Sequence, residues 1–290
     1  MEAIEVENLV KKYGDFEAVR GGVSFSVKKG GEIFAFLGPN GGAGKTTTVH
    51  VLTTLLKPTA GKAVVAGHDV VEEPMAVRRK IGIVFQDPSV DRELTAYENM
   101  LIHGRIYGLS GNELREKIER LLRFVELWEF RDRQVKFFSG GMQRRLEIAR
   151  SLLHEPEVLF LDEPTIGLDP PQTRAHIWDY IRAMKEEHNM TIFLTTHYMD
   201  EAEGGLADRI AIIDHGRIIA EGTAEELKRL VGNEVVYLKL EGREELRCLK
   251  GGDFIRGDAR CSRTGGLGST WRTPPKHCRG SSSSQAGVGG

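Results

Sequence analysis

Short apolar runs, each bounded by turn residues or charges, recur along the chain from Ile4 to about Leu240. Several are too short to form independent helices, so they predict strands buried on both faces of a sheet. These runs lie at residues 33–37, 81–85, 158–161 and 191–194. Closing strands are predicted at residues 210–213, 217–220 and 235–238. The alternation with helical patterns predicts an α/β core.

The hydrophobic period changes between about residues 95 and 127. Leu114, Ile118, Leu121, Leu122 and Val125 recur at helical spacing, with charged residues between them. This stretch predicts a helical subdomain, at about residues 95–150, inserted into the α/β core.

Composition narrows the class of protein. Of the 290 residues, 40% are hydrophobic and 28% are charged, which is ordinary for a globular protein. The formal net charge of −2 argues against a general polyanion binder, so we expect no nucleic acid partner. No apolar run approaches the ~18–20 residues needed to cross a bilayer. From Gly251 onward Gly, Ser, Arg and Thr dominate, which predicts disorder in the tail.

A glycine-rich loop follows the first buried strand and precedes a helical pattern. Such a loop turns successive backbone N–H groups toward one point, and the helix that follows adds the positive end of its dipole. In this context Lys45 is suited to neutralise phosphates and Thr46 to ligate Mg²⁺. The predicted phosphate loop comprises Gly38, Pro39, Asn40, Gly41, Gly42, Ala43, Gly44, Lys45, Thr46 and Thr47.

The spacing inside this loop is unusual. A phosphate loop has four residues between its first glycine and the Gly-Lys-Thr segment, but here Gly38 lies one residue too far from Gly44. The extra residue is most simply Gly41 or Gly42. Doubled residues also occur at Gly21-Gly22, Gly30-Gly31, Pro170-Pro171 and Gly204-Gly205, where turns or helix ends are expected.

Two carboxylates end the apolar run at residues 158–161. Asp162 at the end of the strand is suited to hold Mg²⁺ through water, and Glu163 to orient and deprotonate an attacking water. Alone, the pattern is also that of a buried strand with solvated acids at its exit. Its pairing with the phosphate loop favours the catalytic interpretation.

A second glycine pair precedes the helical pattern upstream of these acids. Ser139 is suited to cap that helix, and Gly140 and Gly141 leave backbone N–H groups accessible to a second phosphate. A plain helix cap is the alternative. With Phe138 and the run to Arg150, however, the segment resembles the signature of ATP-binding cassette (ABC) ATPases, and the whole resemblance covers about Ile4 to Leu240.

The resemblance implies a P-loop NTPase core with an antiparallel β subdomain and an inserted α-helical subdomain. It implies that Tyr13 stacks on adenine, that Gln86 senses Mg²⁺, that Asp169 crosses a dimer interface, and that His197 contacts the γ-phosphate and Glu163. Residues 1–240 would form the ATPase domain, and residues 241–290 an appendage.

The same resemblance implies an ATP-hydrolysing, Mg²⁺-dependent subunit of an ABC transporter, of the drug-resistance exporter branch. It would dimerise head to tail with a second copy or a paralogous subunit. It would drive a separate transmembrane permease from the cytoplasmic face of the membrane. Two alternatives stay open at this point: a non-hydrolysing nucleotide-binding module, because of the lengthened loop, and a soluble ABC ATPase of DNA repair or translation.

Overall fold

The computed structural model describes residues 1–168, 171–198, 206–231, 237–239, 258–262 and 268–272. By packing, the chain divides into two units, Met1–Ala224 and Glu225–Gly290. The predicted domain boundary near residue 240 and the predicted disorder from about residue 251 stay predictions, since most of that region lies outside the described residues.

The first unit contains a six-stranded sheet. Its strands are β3 (Ile33–Leu37), β6 (Ile81–Val84), β7 (Val158–Asp162), β8 (Thr191–Thr196), β9 (Arg209–Asp214) and β10 (Arg217–Gly222). They lie in the order β10-β9-β3-β8-β7-β6, in which all neighbours pair in parallel except β10, an antiparallel edge strand. The strands β3, β7 and β8 are buried along their whole length, which confirms the predicted α/β core, since the central strands of a parallel sheet are covered on both faces.

A second, antiparallel sheet has the order β2-β1-β4-β5. It consists of β1 (Glu2–Tyr13), β2 (Phe16–Lys28), β4 (Ala60–Val65) and β5 (His68–Asp69). Phe25 of β2 stacks on Phe34 of β3 with ring centroids 5.5 Å apart, and it also contacts Phe36 and Phe193. Aromatic packing therefore joins the two sheets into one core.

Six α-helices in the described part of the first unit surround or extend this core. They are α1 (Lys45–Leu52), α2 (Pro74–Lys80), α3 (Ala96–Ile106), α4 (Gly111–Phe124), α5 (Gly140–Ser151) and α6 (Pro171–His188). Helix α3 begins at a capping box formed by Thr95 and Glu98. Helix α4 buries Leu114, Ile118 and Leu121, the positions that the helical period marked. Helices α3, α4 and α5 lie between β6 and β7 in the chain. The predicted fold class, an α/β core with an inserted helical region, is therefore confirmed.

The doubled glycines fall in two different environments. Gly30 and Gly31 form the predicted turn between β2 and β3. The expectation of a turn or helix end at Gly21-Gly22 is wrong, because both lie within β2. Both have positive φ, 74° and 75°, where the register between β1 and β2 shifts, so they form a bulge. Residues 170, 204 and 205 lie outside the described residues.

The second unit begins within α7 (Ala224–Val231). It contains the antiparallel sheet β11-β13-β12, formed by Tyr237–Lys239, Asp258–Ser262 and Gly268–Arg272.

Candidate functional site

The phosphate loop is anchored at both ends by glycines that have no room for a side chain. A Cβ on Gly38 would stand 2.3 Å from the carbonyl oxygen of Ile213, and one on Gly44 would stand 2.6 Å from that of Ala18. Gly44 also has a φ of 91°, which disfavours any residue with a side chain. The loop therefore packs tightly against β9 and β2 before α1 begins at Lys45.

The extra residue lies at the exposed tip of this loop. Gly41 and Gly42 have φ values of 75° and 85°, and no atom lies within 4 Å of a Cβ built on either. Ala43 is buried again, and its carbonyl oxygen accepts from the Gly216 amide at 3.1 Å. The insertion thus bulges into open space, while the anchored ends that orient the loop stay in place.

Lys45 is only 5% exposed, and oxygen atoms surround its ammonium. Nζ donates to the carbonyl oxygens of Gly38 and Pro39 at 2.7 and 3.2 Å and to Asn40 Oδ1 at 3.3 Å. It also pairs with Glu163 Oε1 at 3.1 Å, and that carboxylate is 6% exposed. An anionic ligand in the loop would compete with Glu163 for this cation.

The two acids at the end of β7 are fixed by the neighbouring strand β8. Thr195 Oγ1 donates to Asp162 Oδ1 at 2.5 Å and accepts from the Glu163 amide at 3.0 Å. Thr46 Oγ1 lies 3.5 Å from the same Asp162 oxygen. Glu163 has a φ of 47°, a strained value for this residue type, which turns it away from the line of the strand. Thr195 is a site residue that its sequence pattern did not predict.

His197 follows β8 and lies beside Glu163. Its Nδ1 is 3.1 Å from Glu163 Oε2, so the Glu163 carboxylate bridges Lys45 and the imidazole. The imidazole also contacts the Tyr198 ring, tilted by 38° with centroids 3.9 Å apart, and Arg174 lies 5.3 Å from the centre of the Tyr198 ring. The Glu163 carboxylate and the Tyr198 ring therefore both contact the imidazole.

A pocket with a cavity volume of about 390 Å³ unites most of the predicted residues. This volume lies in the range of about 300–1,000 Å³ that small-molecule sites occupy. Its lining consists of Tyr13, Phe16, Ala18, Pro39, Asn40, Gly41, Gly42, Ala43, Gly44, Lys45, Thr46, Thr47, Gln86 and Glu163. Phe16 is a lining residue that was not predicted, although a second aromatic two residues after the Tyr13-Gly14 pair is a visible signal in the sequence.

Tyr13 and Phe16 form the aromatic end of this pocket. They pair directly across the hairpin between β1 and β2, so both rings project from the same face of the sheet. Their side chains are about half exposed, at 46% and 53%. Flat, accessible rings of this kind can stack on a nucleobase.

The segment predicted as a second phosphate site lies outside this pocket. Ser139 caps α5, its Oγ accepting from the Met142 amide at 3.2 Å, as predicted from the sequence. Ser139 and Gly140 are exposed, whereas Gly141 is buried. Within one chain the structure therefore does not bring these residues to the phosphate loop. Asp169 lies outside the described residues.

Comparison with known proteins gives the family. A model described as ABC transporter matches residues 21–166. Over 238 residues the chain is 50% identical to the daunorubicin/doxorubicin resistance ATP-binding protein DrrA of Streptomyces peucetius, covering 82% of this chain and 70% of that protein. It is 42% identical over 243 residues to the linearmycin resistance ATP-binding protein LnrL of Bacillus subtilis, covering 83% of this chain and 76% of that protein.

Solved structures agree with this result. CbiO1 from Clostridium perfringens, part of an ABC transporter complex, superposes with a TM-score of 0.71 at 31% identity, covering 78% of this chain and 90% of that chain. The dimeric cassette MJ0796 in a post-hydrolysis state, bound to ADP and Pi, superposes with a TM-score of 0.68 at 29% identity, covering 76% and 98%. These relatives favour the transporter over a soluble repair or translation factor.

Since the matched residues include the anchored loop and the paired carboxylates, sequence and geometry lead to one conclusion: the chain belongs to the ABC transporter family, as an ATP-binding and ATP-hydrolysing subunit of the drug-resistance exporter type.

Proposed function

We propose that two copies of this chain, or one copy and a paralogous subunit, form composite Mg-ATP sites head to tail and drive a separate permease that exports a drug-like molecule. The observation that carries this proposal is the position of Glu163. This residue directly follows β7, is buried between Lys45 and His197, and lines the same pocket as the phosphate loop. An acid in this position can take a proton from a water beside a bound phosphate.

The oxygen donors of the pocket fit Mg²⁺. Magnesium is commonly held by one or two carboxylates together with substrate phosphates, and Thr46 and Asp162 already place a hydroxyl and a carboxylate oxygen 3.5 Å apart. Gln86 also lines the pocket and is a third candidate. When bound, the ion would neutralise charge on the β- and γ-phosphates.

Each side chain of the site would then have a separate role. Lys45 would leave Glu163 for the phosphates, which frees the carboxylate to orient and deprotonate water. His197 would hold Glu163 in place and contact the γ-phosphate. Tyr13 would stack on adenine, with Phe16 beside it.

The exposure of Ser139 and Gly140 supports head-to-tail pairing. Ser139 and Gly140 open to solvent at the start of α5, where backbone N–H groups and the helix dipole favour an anion. Because they lie outside the pocket of their own chain, we propose that they contact the γ-phosphate held by the other subunit. Asp169 would lie at the same interface.

The permease and the cargo are assigned by likeness to the relatives. Among the described residues, no helix combines the length and apolar character that crossing a bilayer requires. We propose that the subunit works at the cytoplasmic face of the membrane and that its groove around Gln86 and helices α3–α5 receives the permease. The drug-resistance names of the relatives support export of an antibiotic-type molecule.

The proposal is tested by ATP turnover in a matched pair of substitutions. Glu163→Gln removes the base and should lower kcat by at least about 100-fold while ATP stays bound. Glu157→Gln makes the same change just before the opposite end of β7, where the carboxylate pairs with Lys29 and Lys80 on the surface. Its kcat should stay within about twofold of the wild type. Equal losses in the two variants would contradict the assignment.

A further inference from the structure

One face of α5 holds the loop that contains Gln86. Arg144, Glu147 and Arg150 are spaced three residues apart on this helix, so they project in similar directions. All three contact the stretch from Phe85 to Ser89, which follows β6. This stretch is itself exposed at Gln86, Asp87 and Pro88.

Arg144 binds the start of the loop through both guanidinium nitrogens. Nη1 donates to the Phe85 carbonyl oxygen at 2.5 Å and Nη2 to the Gln86 carbonyl oxygen at 3.0 Å. The residue is only 5% exposed, and burial lowers its pKa, with the charges of Glu147 and Asp162 acting against this shift. A planar fork with two charge-assisted bonds fixes the direction of the Gln86 peptide as well as its position.

Glu147 and Arg150 bind the end of the loop. Glu147 Oε1 accepts from the Ser89 amide at 2.5 Å and from Ser89 Oγ at 3.1 Å, while Oε2 pairs with Arg144 at 3.3 Å. Arg150 donates to the Ser89 carbonyl oxygen at 2.9 Å and to Ser89 Oγ at 2.5 Å. The backbone of the loop is therefore tied to α5 at both ends through one connected network.

This network joins two regions that the proposed function places in different ATP sites. Helix α5 begins at the signature segment Ser139-Gly140, and Arg144 lies about 6 Å further along its axis, at a rise of about 1.5 Å per residue. An α-helix of this length moves as a unit. A shift of its first turn by the partner's γ-phosphate would therefore be passed to the peptide of Gln86 in its own pocket.

We infer that Arg144 and Glu147 are positioning residues that set the placement of Gln86 in one ATP site according to the contact that the start of α5 makes in the other. The inference rests on the proposed function, because it takes Gln86 as a Mg²⁺-site residue and Ser139-Gly140 as a contact to the partner's nucleotide. This role accounts for the buried ion pair between Arg144 and Glu147, which lies where the helical region meets the core.

The test is a double-mutant cycle on ATP hydrolysis with Mg²⁺ titrated. Arg144→Lys keeps the charge but cannot make both carbonyl contacts. It should lower kcat about tenfold and raise the Mg²⁺ concentration for half-maximal rate about fivefold, with the KM for ATP within about twofold. In a Gln86→Ala background the same substitution should change kcat less than about twofold, because the group that it positions is gone.

Arg145→Lys is the matched control. Arg145 is the next residue of α5, and its Nη1 also donates to a backbone carbonyl, that of Val125, at 3.0 Å, but it faces away from Gln86. Its effect on kcat should be the same with and without Gln86. Glu147→Gln, which keeps the volume and an acceptor for Ser89, is made in parallel and should show the same coupling to Gln86 as Arg144→Lys.

Two results would overturn the inference. In the first, Arg144→Lys and Glu147→Gln each change kcat by the same factor in the Gln86→Ala background as in the wild type. In the second, Arg145→Lys shows as much coupling to Gln86 as Arg144→Lys does. If wild-type protein still hydrolyses ATP in those experiments, the inference alone fails. Wild-type protein that hydrolyses no ATP would overturn the proposed function, and the inference with it.

Discussion

The substitution Thr195→Val tests how much one hydroxyl group contributes to holding Asp162 and Glu163 in place. Valine has nearly the shape of threonine, and Thr195 is fully buried, so the change removes polar contacts without opening a cavity. It removes the donor to Asp162 Oδ1 and one acceptor of the Glu163 amide. The amide keeps the Thr195 carbonyl oxygen at 3.2 Å, so most of the loss falls on Asp162.

The size of the effect follows from these contacts. A hydrogen bond to a charged group contributes about 1.5–3 kcal/mol, and the methyl group that replaces the hydroxyl returns up to about 1 kcal/mol. We expect the free energy of unfolding to fall by about 1–2 kcal/mol. We expect kcat to fall about tenfold, because Asp162 and Glu163 both lose a fixed partner and small displacements of catalytic groups are costly.

Thr191→Val provides the comparison at the other end of β8. Thr191 is equally buried, but its hydroxyl exchanges neutral hydrogen bonds with the Lys28 carbonyl oxygen and the Gly30 amide, both at 3.2 Å. Urea unfolding and steady-state ATPase assays on the two variants should show a loss of stability in both, but a loss of kcat only for Thr195→Val. Wild-type kcat in Thr195→Val would refute the reasoning.

Three further predictions concern other parts of the first unit. Burial lowers the pKa of His103 to about 4, so an unfolded chain takes up a proton near pH 6.5 that the native chain does not. The free energy of unfolding therefore falls as pH falls from 6.5 toward 4. Urea unfolding of His103→Gln should show a loss between pH 7 and pH 5 that is smaller than in the wild type by up to about 2 kcal/mol. Gly44→Ala should abolish ATP binding in a filter assay, since its Cβ would stand 2.6 Å from a backbone oxygen of β2. Gly41→Ala meets no such atom and bears only the strain of a positive φ, so it should weaken binding less than about tenfold. Phe16→Ala should raise the KM for ATP about tenfold through lost contact with the base beside Tyr13, and Phe130→Ala, also exposed but outside the pocket and away from Ser139, should leave it unchanged.

The sequence predicts best those site residues that sit next to each other in the chain. Lys45 and Thr46 follow the glycine loop directly, and Asp162-Glu163 follow an apolar strand, so local pattern alone places each pair at a strand end. The cap at Ser139 is equally local. Mixed α/β class and the inserted helices follow from periodicity, which the burial of β3, β7 and α4 confirms.

The missed residues act across the chain, where one-dimensional patterns give little information. Thr195 reaches Asp162 because β7 pairs with β8 in a register that sets these residues side by side. Threonine is common in strands, so its presence in β8 does not by itself indicate a site residue. Arg144 and Glu147 have the appearance of ordinary charges on a helix surface, but both are buried against a loop about 60 residues upstream. The bulge at Gly21-Gly22 likewise depends on pairing with β1.

The central claim, that two chains complete each other's ATP sites, is tested most directly by the mass of Glu163→Gln in solution. Size-exclusion chromatography with light scattering should show a monomer without nucleotide and a dimer with Mg-ATP. Adding Gly140→Asp, which puts a negative charge where the partner's phosphate would lie, should abolish the dimer while ATP still binds the monomer. A nucleotide-bound Glu163→Gln that stays monomeric, or a dimer that Gly140→Asp does not disturb, would contradict the account.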